Sequence, residues 1–497
     1  MRTWTAAKMD SLRLFLPLIL GVAFIDAPLA AAEPMFSSSE IEAQASEIFF
    51  CDLDGDHLKD AVVFDGLNFS VFYQDSKQGF ARKSRQQYRL DDRPSIVWPA
   101  RMGQKAESLL VMTSEGVTEL CFTNRTGPPT RRQIIQQQTV VPKELSEMPV
   151  VYFPLSAETG TGWPLVLVPT AAGLQVWQHR DGWRQAQLFD EAIDTHIRFL
   201  SGNSGYTEGF RLSINLVDVN GDGREDLMLM NQDLSGVQKY SVHLQKADGL
   251  FAMEPALTYT NKTKWRDTLW WIDINKDGKL DLIKSTRSDE PSFFPGIPSG
   301  KVLVETYLAD QRGRIPAEPQ QVFRKDDWEP ALPMVDMDGD GYVDMVLGYI
   351  PLDTREGFRK AITTEQVDLN LKIHYYRPGA GFSKEPDYQR RVPIHLQQPP
   401  LVYSDQRLYY EQSVSLNGDF NGDGKKDLLA RDRKDAISVY FFVSREKGFN
   451  SEADIRFRCP DPIEWWGVQD LNGDGVSDLI VKIHKRDLFR IFISQTK

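Results

Sequence analysis

Asp419-Phe420-Asn421-Gly422-Asp423-Gly424-Lys425-Lys426-Asp427 decides how this 497-residue chain reads. Side-chain oxygens stand at positions 1, 3, 5 and 9 of the stretch, and glycine at position 6 lets the backbone turn sharply among them. Five further stretches repeat it: Asp52, Asp54, Asp56 and Asp60; Asp218, Asn220, Asp222 and Asp226; Asp273, Asn275, Asp277 and Asp281; Asp336, Asp338, Asp340 and Asp344; Asp470, Asn472, Asp474 and Asp478. Position 6 is glycine in every copy except the first, which has His57. Oxygen-only donors packed this closely suit a hard cation, and Ca2+ tolerates the irregular cage of a short loop. The expectation is therefore about six Ca2+ ions, with the position-7 carbonyl as a further donor by analogy with other calcium loops.

An EF-hand begins in the same way but requires a glutamate at position 12 and flanking helices. Position 12 is here Val63, Leu229, Lys284, Leu347, Ala430 or Val481. After each last aspartate comes a short apolar run bounded by turn residues, which reads as a buried strand. Each metal loop therefore joins the first two strands of a hairpin. A third strand comes next, then a Gly-aromatic turn: Gly79-Phe80, Gly381-Phe382, Gly448-Phe449 and the variant Gly249-Leu250-Phe251. Strand A, metal loop, strand B, strand C, Gly-Phe turn and strand D make one antiparallel propeller blade.

The interval between Asp52 and Asp218 has room for two blades without the loop, and Leu109–Met112/Val117–Phe122 and Leu165–Val168/Leu174–Trp177 supply their central strands. That gives an all-β single propeller of eight blades, or seven if one loop-less unit is an insertion. The last unit ends after its strand C, and Met35–Ser38 is expected to close the ring as its strand D. These residues resemble the VCBS and FG-GAP repeat family, which includes the calcium-bearing head of integrin α chains and many bacterial exported proteins. The resemblance covers essentially all of residues 33–497. It implies a propeller scaffold used for adhesion, carbohydrate binding and in some members polysaccharide cleavage.

Residues 1–32 read as a signal peptide. Arg2, Lys8 and Arg13 form a basic start, Leu14–Ile25 is apolar but shorter than the ~20 residues a bilayer demands, and Ala30-Ala31-Ala32 offers a cleavage site. The expectation is export to the periplasm, the medium or the cell surface, with no membrane insertion after cleavage. Cys51, Cys121 and Cys459 follow no metal or redox spacing and read as small buried apolar side chains. The net charge of −12 disfavours nucleic acid as a partner. The loops starting at Asp52 and Asp336 carry four carboxylates each and the others three, so much of this charge has a destination in the cation, which is expected to be structural.

No HExxH, GxSxG, phosphate-binding loop or CxxC motif occurs, and the seven histidines are scattered, so no catalytic residue is assigned. In an antiparallel blade the A–B and C–D connections share one end and the B–C and D–A connections the other. The long B–C insertions Asn231–Lys239, Ser285–Gly300 and Tyr349–Asn370 lie in adjacent units opposite the metal loops. Phe293, Phe294, Tyr349, Arg355, Phe358 and Arg359 are the expected ligand contacts there, aromatics giving area and arginines directed donors. The blades are expected not to need these insertions. Trp98, Trp265, Trp270, Trp271, Trp328, Trp465 and Trp466 precede the metal loops or their equivalents and are placed near the D–A turns. The leading functional reading is a monomeric binding or scaffold module for a glycan or an exported or surface protein; the alternative is a lyase-like carbohydrate-active enzyme.

Overall fold

A computed structural model describes residues 36–495 apart from 45–46, 66, 85, 91–95, 123–124, 141–155, 158–162, 191–195, 203–204, 212–213, 233–236, 263–266, 288–300, 327–328, 331–333, 353 and 397–412. Residues Phe36–Lys497 form one compact unit. Within it are eight four-stranded antiparallel sheets, the eight blades of a single propeller. The central strands of blades 2 and 3, Ser108–Thr113 with Gly116–Cys121 and Leu165–Thr170 with Gly173–His179, confirm that the two loop-less units are blades.

The unbroken apolar runs have a physical cause. Central strands are covered on both faces by neighbouring blades, so Leu165–Thr170 is buried at every residue. An outer strand such as Tyr388–His395 alternates between buried and less buried positions. The core is correspondingly a ring of layers between blades. One cluster joins blades 6 and 7 through Val346, Leu371, Leu416 and Leu428. Another joins blades 8 and 1 through Ile41, Phe489, Ala61 and Val63.

Closure is achieved by the N-terminal strand Phe36–Glu42, which pairs with Leu488–Ser494 from Phe36↔Ser494 to Glu42↔Leu488 and completes blade 8. The strand is longer than the four residues expected. Each Gly-Phe turn forms a small hairpin, Gly381–Phe382 against Tyr376–Arg377 for example. Its aromatic ring is buried, and its backbone docks on the preceding blade: Gln321 of blade 5 both donates to and accepts from the Phe382 main chain.

Three features differ from the sequence reading. A hairpin, His196–Gly202 with Gly205–Arg211, is inserted between blades 3 and 4. The blade 6 insertion contains an α-helix, α1, Arg355–Thr364. Thr354 caps it by accepting from the Gly357 N–H, and Ala361 is fully buried beneath it. Finally, Trp98, Trp270, Trp271, Trp465 and Trp466 lie within first strands and not in the turns before them, while Trp265 and Trp328 fall outside the described residues. The three cysteines are unbridged; Cys51 and Cys459 are buried and Cys121 is half-buried.

Candidate metal loops and ligand cleft

All six acidic loops connect strand A to strand B and share one hydrogen-bond plan. In five of them position 1 accepts the N–H of position 4 on one oxygen and that of position 6 on the other, as Asp419 does from Gly422 at 2.7 Å and Gly424 at 2.8 Å. In the loop starting at Asp273 the position-6 bond from Gly278 is kept, at 2.8 Å. Position 5 accepts from the N–H of position 7 in all six, at 2.9–3.0 Å. This curl places positions 4 and 6 in the left-handed region; glycine fills all of them except two, which are taken by Lys276 (φ 57°) and His57 (φ 75°).

Position 9 has a different task. Asp60, Asp226, Asp281, Asp344, Asp427 and Asp478 are fully buried. One oxygen of each accepts the N–H of position 2, and the other accepts an N–H just beyond strand C or at its end, from Gln74, Gln245, Ala309, Tyr376, Phe442 or Ser494. The last carboxylate thus ties the loop to the third strand. Burial above all, with the neighbouring loop carboxylates adding to it, pushes Asp60 up to about 8, Asp281, Asp344 and Asp427 up to about 7, and Asp478 up to about 6; Asp226 moves the same way. Yet N–H donors aimed at both oxygens favour the ionised form. A cation held in the loop would resolve that conflict, because it would favour carboxylate over carboxylic acid.

The donors at positions 1, 3 and 5 fit such an ion. In the loops of blades 1 and 6, carboxylate oxygens of Asp52, Asp54 and Asp56, and of Asp336, Asp338 and Asp340, lie within 4.8 Å of one another. Neighbouring loops also touch. The N–H of position 8 donates to the preceding loop from Val343 to Ile274 (3.0 Å), Lys426 to Met337 (3.0 Å), Ser477 to Asp419 (2.7 Å) and, across the ring closure, Lys59 to Leu471 (2.8 Å). Blade 2 has no acidic loop but keeps this contact through Glu107, whose N–H donates to the Asp52 carbonyl at 2.7 Å and whose carboxylate accepts the Asp52 N–H at 2.6 Å.

The outer oxygen of position 5 divides the loops. In blades 4, 5 and 7 it pairs with a base two residues on: Arg224, Lys279 (3.1 Å) and Lys425 (3.3 Å). In blade 8 it accepts from the Ser494 hydroxyl at 2.7 Å. In blades 1 and 6 position 7 is Leu58 or Tyr342, and an arginine of the following blade arrives instead. Arg125 spans Asp54 and Asp56, the latter at 2.7 Å, and Arg445 spans Asp338 and Asp340. Each guanidinium also lies over a tyrosine ring, Arg125 on Tyr73 at 5.4 Å and Arg445 on Tyr375 at 5.1 Å. Among the described residues neither tyrosine hydroxyl has a hydrogen-bond partner. The sequence reading missed both arginines and both tyrosines.

At the same end of the disc, residues of blades 2, 3 and 4 line an open cleft of about 380 Å³, among them Trp98, Arg101, Gln104, Glu107, Trp163 and Glu225. Trp163 is 41% exposed. At the opposite end, Tyr349 closes strand B of blade 6, half-buried, with its carbonyl accepting from the Asn370 amide at 3.3 Å. Arg355 and Arg359 are exposed on α1, whereas Phe358 turns inward and packs on the core between blades 6 and 7. Phe293 and Phe294 lie outside the described residues. In blades 1 and 6 the structure thus brings the carboxylates of positions 1, 3 and 5 together, and of the expected B–C contacts it places Arg355 and Arg359 on the exposed side of α1 and Phe358 on its inner side.

Residues 218–283 and 419–481 match the profile of the FG-GAP-like repeat. Two regions of this eight-bladed propeller therefore read as FG-GAP-like repeats. Among solved structures, the chain is similar to an Agrocybe aegerita lectin that recognises non-reducing terminal N-acetylglucosamine, with a TM-score of 0.39 and 14% identity over 72% of this chain and 80% of the lectin. It is also similar to BBS1N, solved in complex with ARL6DN, with a TM-score of 0.38 and 10% identity over 93% and 98% of the two chains. No curated protein matches the sequence. Among the described residues no helix is long and apolar enough to cross a membrane.

Proposed function

We propose that the protein is an exported binding module whose acidic loops each hold a structural Ca2+, and that it takes a saccharide in the cleft of blades 2, 3 and 4. The cleft carries this reading. It lies where two successive blades have given up the acidic loop, so the end that is otherwise a belt of carboxylates opens there into a different surface. Trp98 and Trp163 offer indole faces to the C–H side of a sugar ring, while Arg101 and Gln104 offer donors and acceptors for hydroxyls. A volume of about 380 Å³ lies in the range of small-ligand sites. The belt of loops supports the cleft from its blade 1 side through the Glu107–Asp52 contacts.

The test is an oligosaccharide panel presented to the chain lacking residues 1–32, in Ca2+, beside the Trp163→Ala variant. Binding without turnover, weakened roughly tenfold or more in the variant at an unchanged melt, is the expected result. Retained binding in Trp163→Ala would move recognition elsewhere, with the exposed Arg355–Arg359 face of α1 the next surface to vary. Silence across the panel would remove the saccharide reading. Unsaturated sugar ends among the products would replace it with a lyase.

A further inference from the structure

Position 3, the residue before the strand-C anchor and an arginine of the next blade vary together among the six loops. Where position 3 is aspartate, in blades 1 and 6, position 7 carries no base, the residue before the strand-C anchor is tyrosine (Tyr73, Tyr375), and an arginine of the next blade lies on that ring. Where position 3 is asparagine, the matching residue is Leu244, Leu308, Phe441 or Ile493, and among the described residues no arginine of a following blade reaches the loop.

We propose that Asp54 and Asp338 are docking residues for the following blade and add nothing to cation binding beyond what asparagine supplies. Atom by atom, the inner oxygen of position 3 does the same work in both classes: Asp338 Oδ1 accepts the Asp340 N–H at 3.3 Å and Asn421 Oδ1 accepts the Asp423 N–H at 3.0 Å. The arginine uses only the outer oxygens: those of Asp54 and Asp56, and those of Asp338 and Asp340. The outer oxygen of position 5 is the atom that Lys279 and Lys425 take from within their own loops. A charge partner supplied locally in three blades is supplied from the next blade in two. The extra carboxylate makes that pairing a two-point clasp, and the tyrosine ring beneath fixes the guanidinium plane. Tyr375 acts here through its ring, since among the described residues its hydroxyl makes no hydrogen bond. The clasp joins blade 1 to blade 2 and blade 6 to blade 7.

The proposal rests on the calcium reading for its metal count and is independent of it for its stability effect. Bound Ca2+ per chain and the melting temperature in Ca2+ are measured for the wild type, Asp338→Asn, Arg445→Gln and the double variant. The expected result is an unchanged count in Asp338→Asn, a melt lowered by several degrees in each single variant, and a double variant no worse than either single one. Loss of one ion in Asp338→Asn would overturn the proposal, because position 3 would then be a carboxylate ligand. So would additive losses in the double variant. A wild-type count of four that rises in Arg445→Gln would mean that the guanidinium replaces the ion, again overturning it. If the wild type binds no Ca2+, the metal reading fails while the melting cycle still decides the clasp. Asp54→Asn with Arg125→Gln repeats the cycle should the blade 6 variants not fold.

Discussion

His57 stands where the other five loops have glycine, at φ 75° with its side chain exposed. Its N–H still donates to Asp52 at 3.0 Å, so the loop closes as the others do and the backbone takes the strain. A left-handed conformation costs an L-residue roughly 1–2 kcal/mol, and part of that is offset because glycine loses more chain entropy on folding. His57→Gly is therefore expected to stabilise the protein by about 0.5–1 kcal/mol, read as a higher denaturation midpoint in Ca2+. A lower midpoint would mean that the imidazole makes a contact worth more than the strain. Gly278 presents the reverse case: a Cβ there would meet the Asn220 carbonyl at 2.9 Å, so this glycine serves the neighbouring loop as well as its own turn.

At the scale of elements, α1 separates what was legible from what was not. The acidic hairpins are legible because nine contiguous residues supply their own hydrogen-bond acceptors, turns and flanking apolar runs. The clasps are not, because Arg125 lies 71 residues from Asp54 and Arg445 lies 107 from Asp338, with nothing local to mark either arginine as a partner. The only available sign was the pairing of aspartate at position 3 with a missing base at position 7. The blade 6 insertion was legible in position but not in role. Read as a dispensable recognition loop, it is a capped helix that buries Ala361 and rests Phe358 against the core of blades 6 and 7. A Gly/Ser turn in place of 353–365 would uncover that core, so the expectation of an intact melt is withdrawn. Phe358→Ala is expected to cost about 1–3 kcal/mol, the partial burial keeping it below a fully buried phenylalanine. Arg359→Ala, on the exposed face, is expected to stay within about 0.5 kcal/mol. Equal effects of the two in urea melts would contradict this orientation of the helix.

For the whole molecule, the loops matter because they are joined into a belt that crosses the ring closure from Leu471 to Lys59. Charge trapped in one loop is therefore felt by contacts between blades. In the metal-free protein Asp60 is pushed up to about 8, Asp281, Asp344 and Asp427 up to about 7, and Asp478 up to about 6, whereas in the unfolded chain these groups titrate near the ordinary aspartate value of about 3.9. With folded values raised, the native state binds more protons than the unfolded one between these limits. The stability they contribute is full below about pH 4 and is lost as pH rises through about 6 to 8. On the proposed reading Ca2+ would reverse the sign, since it would bind the ionised loops and compete with those protons. The melting difference between saturating Ca2+ and metal-stripped protein should accordingly be small near pH 5 and large near pH 8, with most of the change between about pH 6 and 8. Paired melts across that range are the measurement. A difference that stays constant, or that grows on acidification, would show that the buried position-9 carboxylates are not coupled to the cation, and the loops would then be turns held by backbone hydrogen bonds alone.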